Sequence, residues 1–100
     1  MMELEDAVME IIVNAGQSRS LCFEALHAAR TGNIDEARLL LNEADGYARR
    51  AHQMQTQLIE QDAGEARQPM TLIMVHAQDH LMNSLLAREF SEELIHLYQR

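Results

Sequence analysis

From Leu4 onward apolar residues return every three or four positions: Leu4, Ala7, Val8, Ile11, Ile12 and Ala15, then, after a shift near Gly16, Leu21, Cys22, Ala25, Leu26 and Ala29. That spacing predicts one long amphipathic helix. "RTGNIDEA" ends it, because Gly32 can take the left-handed conformation at a helix C-cap and Arg30 sits beside the negative end of the dipole. Asn33 is expected to cap the next helix, with Glu36 reaching back in a capping box and Asp35 adding charge of the right sign. The second stripe runs Ile34, Ala37, Leu40, Leu41, Ala44, Tyr47, Ala48, Ala51, Met54, Leu58 and Ile59, and the helix should end near Gln61. "QDAGEARQP" then reads as a polar connection, with Pro69 in the first turn of a third helix, where its missing amide costs nothing.

From Met70 to about Tyr98 the pattern is helical again, and it is apolar over too much of its circumference for one bundle face to absorb. A second burying surface is implied; if the third helix is wrapped inside its own subunit and also faces partners, the chain is an oligomer. Three helices of about 25 to 30 residues with short connections predict an all-α, antiparallel, up-down-up three-helix bundle.

Composition narrows the function classes. The 100 residues fit a single domain spanning 1–100, and with 47% hydrophobic residues, 4 Gly, 1 Pro and no Trp the chain favours long helices over turns. A formal net charge of −8 argues against a nucleic-acid binder, which needs clustered Lys and Arg. No apolar run approaches the length of about 18 residues that a membrane span requires, and the opening "MMELEDAVME" is acidic where a signal peptide is basic. A soluble, cytoplasmic protein is expected. Cys22 stands alone, so it forms no internal disulfide or cysteine-pair metal site and reads as a small buried hydrophobe. His27, His52 and His96 have no partner at motif spacing and receive no role, and the methionines, Met9, Met54, Met70, Met74 and Met82 among them, are expected to fill the core.

The candidate chemistry lies in "TLIMVHAQDHLMNSLL", residues 71–86. At about 100° per residue, Leu72, Val75, Asp79, Met82 and Leu86 fall within about 60° of one another, which sets Asp79 in an apolar seam. His76, His80 and Asn83 lie on the shoulder of that seam. An ionised Asp in such a seam must be paired, protonated or bound to a cation. If copies meet around a symmetry axis, two such charges about 4 Å apart repel by about 4 kcal/mol at an effective dielectric of about 20, and a divalent cation or shared protons would relieve them. A polar residue there can also fix register and oligomeric state.

The histidine pair excludes some chemistries. The zinc-protease motif needs Glu directly after the first His, where Ala77 stands, and a di-iron bundle needs Glu-x-x-His pairs that "HAQDH" lacks. There is no Gly-x-Ser-x-Gly elbow, phosphate loop or dinucleotide fingerprint. Neutral imidazole remains a competent nucleophile near neutral pH and could carry a phosphoryl group, helped by His80 and the Gln78 amide.

Three stretches, "VMEIIVNAGQSRSL", "QTQLIEQDAGE" and above all "LIMVHAQDHLMNSLLARE", resemble the enzyme IIA component of the lactose, cellobiose and N,N'-diacetylchitobiose branch of the bacterial phosphoenolpyruvate-dependent sugar phosphotransferase system. The resemblance spans nearly the whole chain. It implies a three-helix subunit assembling as a homotrimer, in which the first His of the V-H-A-Q-D-H motif, His76, takes phosphate from the histidine phosphocarrier protein HPr. His76 would pass it to a cysteine of the cognate IIB during uptake of a β-linked disaccharide. The motif's Asp79 would meet its symmetry copies around one divalent metal ion per trimer, Mg²⁺ by preference although oxygen ligands also suit Ca²⁺ or Mn²⁺. Gln78 and His80 would support His76. Cys22, mid-helix, is not the IIB nucleophile, and the segment before helix one is short for some members of such a family. The alternative is a non-catalytic adaptor, a helical trimer whose Asp79 and histidines serve only metal-dependent assembly.

Overall fold

The computed structural model describes residues 3–100; Met1 and Met2, part of the acidic opening read as unlike a signal peptide, lie outside the described residues. Three helices follow in order, α1 (Leu4–Arg30), α2 (Ile34–Ala63) and α3 (Leu72–Tyr98), with no strand among the described residues.

The first reversal forms as the glycine predicts. Gly32 has φ 93, its N–H donates to the Ala29 carbonyl at 3.1 Å, and the Asn33 N–H donates to the Ala28 carbonyl at 2.8 Å. Those bonds satisfy the last free carbonyls of α1. The expected capping box on the other side does not form: Asn33 sits at the N-cap with φ −96 and ψ 70, and its side chain makes no cap hydrogen bond. The tight reversal has already fixed its backbone outside the extended conformation that aims a capping side chain.

The second connection also departs from expectation. α2 runs to Ala63 rather than Gln61, and Pro69 lies outside α3. Thr71 takes the capping position instead, with extended backbone and its hydroxyl accepting from the Met74 N–H at 3.2 Å. The Asp62 carboxylate accepts from the Gln68 N–H at 2.8 Å and ties the connection back to α2.

Two buried clusters define the packing. One joins Val8, Ile11 and Ala15 of α1, Ala51 and Leu58 of α2, and Met74, Ala77 and Leu81 of α3. The other joins Cys22, Ala25 and Ala29, Ala37 and Leu41, and Ile95. The start of α1 therefore lies beside the end of α2 and the start of α3, which is the expected up-down-up course. The body measures 52 × 18 × 18 Å. Small residues let the helices approach: Ser18, Ser84 and Ser91 are buried among the alanines, and burial pushes the Cys22 thiol pKa up.

Some residues of the predicted stripes face outward. Ile59, Met9, Met70 and Met82 are exposed, so only Met74 and Met54 of the five named methionines pack on the core. Asn14 instead is buried, its amide donating to the Glu10 carbonyl and carboxylate at 2.8 and 2.9 Å. No described helix is long and apolar enough to cross a membrane.

Candidate functional site

The core-facing side of α3 is set by Ala77, Leu81, Ser84 and Ile95, all fully buried. At about 100° per residue, Leu72, Val75, Asp79, Met82, Leu86 and Phe90 lie on the opposite side. All six are exposed, Leu72 at 86% and Phe90 at 61%. The surplus apolar surface expected of the third helix is thus one continuous face along the bundle, with Asp79 as its polar interruption. The Asp79 carboxylate meets only the Asn83 amide, at 3.4 Å, and no ion pair among the described residues reaches it.

His76 and His80 occupy the shoulder that turns toward α1. Their rings stack, with centroids 5.8 Å apart and planes within 8° of parallel. His76 is exposed and His80 half-buried. A Cβ built at Gly16 of α1 would stand 3.3 Å from His80 Nε2, so the inner ring of the pair lies directly against the α1 backbone. The arrangement offers one solvent-facing imidazole backed by another, on the edge of an unpartnered apolar face.

Gln78 does not join them. Two residues along the helix carry it about 200° round from His76, to the shoulder that turns toward α2. There its Oε1 accepts from Gln55 Nε2 at 2.7 Å, while its own amide lies 3.5 Å from Met74 Sδ. Beside it an open groove of about 320 Å³ is lined by Leu58, Ile59, Asp62, Met70, Met74 and Val75 among others. The predicted set therefore divides within one chain into His76 with His80, Asp79 with Asn83, and Gln78 with Gln55.

Sequence reasoning passed over Gln55 and the role of Gly16. Both lie in stretches that resemble the family, and Gly16 also marks a shift in the stripe, but neither signal names a partner, since each partner lies on another helix. Further along α3 a polar clasp was also unforeseen. Arg88 donates to both carboxylate oxygens of Asp45, at 2.7 and 3.1 Å, and to Glu92 at 3.2 Å. Arg38 bonds Glu92 from α2, and His96 Nε2 lies 3.1 Å from it. The Arg38 hydrogen bond, joined by Arg88, holds the Glu92 carboxyl below its usual pKa, and the Asp45 bond raises that of Arg88.

Among the described residues no group of three His, Cys, Asp or Glu could hold a metal within one chain. Between Leu72 and Leu86 the exposed face carries one carboxylate, that of Asp79, while Glu89 and Glu93 lie about two to four turns further along the helix. A site built on Asp79 would need donors from further copies.

A family model described as the lactose/cellobiose-specific IIA subunit of the PTS system matches residues 6–99. The N,N'-diacetylchitobiose-specific EIIA component of Escherichia coli K12 is 47% identical over 98 residues, covering 98% of this chain and 84% of that protein. The crystal structure of the cellobiose-specific enzyme IIA from Bacillus anthracis superposes with a TM-score of 0.93 at 36% identity, covering 99% of this chain and 92% of that one. A solution structure of the Escherichia coli chitobiose IIA in complex with HPr gives 0.85 at 45% identity, covering 99% and 96%. With its three-helix architecture and the His76–His80 pair on an open face, the chain belongs to the lactose/cellobiose-specific IIA family, phosphotransferase subunits of the PTS.

Proposed function

We propose that this IIA subunit carries a phosphoryl group on His76, received from phospho-HPr and passed to the cysteine of a cognate IIB during uptake of a β-linked disaccharide of the chitobiose, cellobiose or lactose type. The observation that carries the reading is the exposed His76 ring stacked on His80. A nitrogen of neutral His76 attacks the phosphorus of the donor phosphohistidine. The P–N bond to the donor breaks as the new P–N bond forms, and the donor imidazole leaves with its electron pair. In the second transfer the IIB thiolate attacks, a P–S bond forms, and His76 is released. Little covalent chemistry is asked of the protein, so positioning and charge stabilisation dominate.

The exposed face of α3 supports a homotrimer, because three such faces meeting around an axis would bury the apolar stripe that one chain leaves open. In that arrangement the shoulder bearing His76 and His80 in one subunit faces the shoulder bearing Gln78 in the next. Gln78 would then serve the neighbour's phosphoryl group through its amide N–H donors, its carbonyl oxygen being engaged by Gln55. Three Asp79 carboxylates at the axis form an oxygen donor set that fits one divalent cation per trimer, Mg²⁺ by preference. Such an ion would neutralise repulsion at the axis, and no transfer step runs through it. The adaptor alternative is not favoured, since the family is one of phosphotransferase subunits.

Incubation with labelled phosphoenolpyruvate, enzyme I and HPr is expected to label the wild type and to leave His76→Ala unlabelled; a labelled alanine variant refutes the assignment. The metal has its own test. Asp79→Leu is expected to reduce bound divalent metal in the purified protein to background, and unchanged metal content rules out the axial site.

A further inference from the structure

Helix interiors disfavour glycine, which loses more conformational freedom on folding than alanine and gains no side-chain contact. Two glycines nevertheless stand inside these helices, Gly16 in α1 and Gly46 in α2. Neither has a positive φ, since Gly32 is the only described glycine that does, so backbone conformation demands glycine at neither position. The two differ in what surrounds them. A Cβ at Gly46 would meet nothing within 4 Å, whereas one at Gly16 would stand 3.3 Å from His80 Nε2.

That separation is tighter than ordinary contact, so a side chain at Gly16 would make the His80 ring give way by a few tenths of an ångström. The ring has little freedom to do so unnoticed. It is half-buried, its Nε2 lies toward Gly16 of α1, and it stacks on His76 with planes within 8° of parallel. Displacement away from α1 shifts the His80 ring relative to the His76 ring it stacks on. The missing side chain of Gly16 therefore sets where His80 lies, and His80 sets the plane that His76 presents to an incoming phosphorus.

We propose that Gly16 is a positioning residue for phosphoryl transfer: by carrying no side chain it admits the His80 ring against α1 and so holds the His76–His80 stack in its reactive orientation. The inference rests on the reading of His76 as phosphoryl acceptor. Transfer of this kind depends on in-line geometry, and small misplacements of reacting groups are costly in rate.

The test compares Gly16→Ala, Gly16→Ser and the control Gly46→Ala, each in the wild-type and His80→Ala backgrounds. Gly16→Ala is expected to lower kcat for transfer from phospho-HPr roughly tenfold with KM little changed, the cost of a small misplacement. Its melting temperature should equal or exceed that of the wild type, because alanine is the better helix former. Gly46→Ala should gain stability and keep the wild-type rate. In the His80→Ala background the Gly16 effect should disappear, since the group it acts through is gone. A wild-type rate in Gly16→Ala, or an equal loss in both backgrounds, overturns the proposal. A readout without phosphate separates it from the reading beneath it: NMR signals of the His76 and His80 rings should move in Gly16→Ala and Gly16→Ser and stay in place in Gly46→Ala. Ring signals unmoved by the Gly16 variants overturn this inference, while a wild type that takes no label overturns the phosphocarrier reading.

Discussion

Near the start of α3, His76, Asp79 and His80 meet solvent, one another or a single amide, whereas near its end Arg88, Glu92 and His96 are drawn into a clasp with Arg38 and Asp45 of α2. Residue types are shared between the two regions: each has histidine and carboxylate one turn apart. What differs is the neighbouring helix. At the far end α2 brings two charged partners within reach, and the polar groups hold the bundle closed. At the near end no ion pair among the described residues crosses to α1 or α2: Gly16 of α1 faces His80 without a side chain, and α2 brings an uncharged amide, Gln55, to Gln78. The near-end groups stay outside any ion pair among the described residues, as the proposed phosphocarrier and trimer require. Histidine spacing alone does not separate the two regions; what the neighbouring helices leave unpaired does.

The comparison breaks most visibly on the open face. Leu86→Arg would place a cation in the middle of the apolar stripe opposite the core, and three such charges around an axis would repel. Sedimentation is expected to show the mass falling from three chains to one with the helical content kept. A variant still trimeric would mean that this face is not the interface.

The clasp should answer to stability and not to transfer. Arg88→Ala leaves Asp45 and Glu92 without a shared partner, and because all three are partly exposed the expected loss is about 1 to 2 kcal/mol of unfolding free energy. Phosphoryl transfer by the folded variant should match the wild type. The acid limb gives a finer reading of the same region. Glu92 has a folded-state pKa held below its ordinary 4.5, so its contribution is fully present above that value and fades as pH falls through the lower folded value. Glu92→Gln should therefore flatten the fall of melting temperature with pH below about 4.5, and an unchanged slope would show that the ion pairs add nothing.

The smallest effect belongs to the cap that starts the near end. Thr71→Ala removes the acceptor for the Met74 N–H and should cost about 1 kcal/mol in chemical denaturation. If the first turn of α3 frays without affecting the His76–His80 stack, transfer should persist.

Much of the architecture was legible in the chain itself. Periodicity located all three helices, Gly32 marked the first reversal, and the excess of apolar residues on the third helix anticipated the open face. The start of α3 was misplaced because Met70 extends the apolar pattern while lying 84% exposed before the Thr71 cap. Asp79 could be placed on the seam by angle alone, since that requires only the geometry of one helix. Gln78 adjoins the histidines in sequence yet faces the other way, and one helix's geometry already carries that information. The bonds of the clasp that cross between helices and the Gly16–His80 contact join residues 43 or more positions apart, and their register depends on how the helices pack. Periodicity says which face is buried and leaves open which level of one helix meets which level of another.

The most direct test of the central claim is to map the phosphoryl group on wild-type protein charged through enzyme I and HPr, by mass spectrometry of its peptides under conditions that preserve phosphohistidine. The account predicts the group on His76 and none on His80, His96 or the other histidines. A phosphoryl group on His80, or a fully folded protein that accepts none, would contradict it.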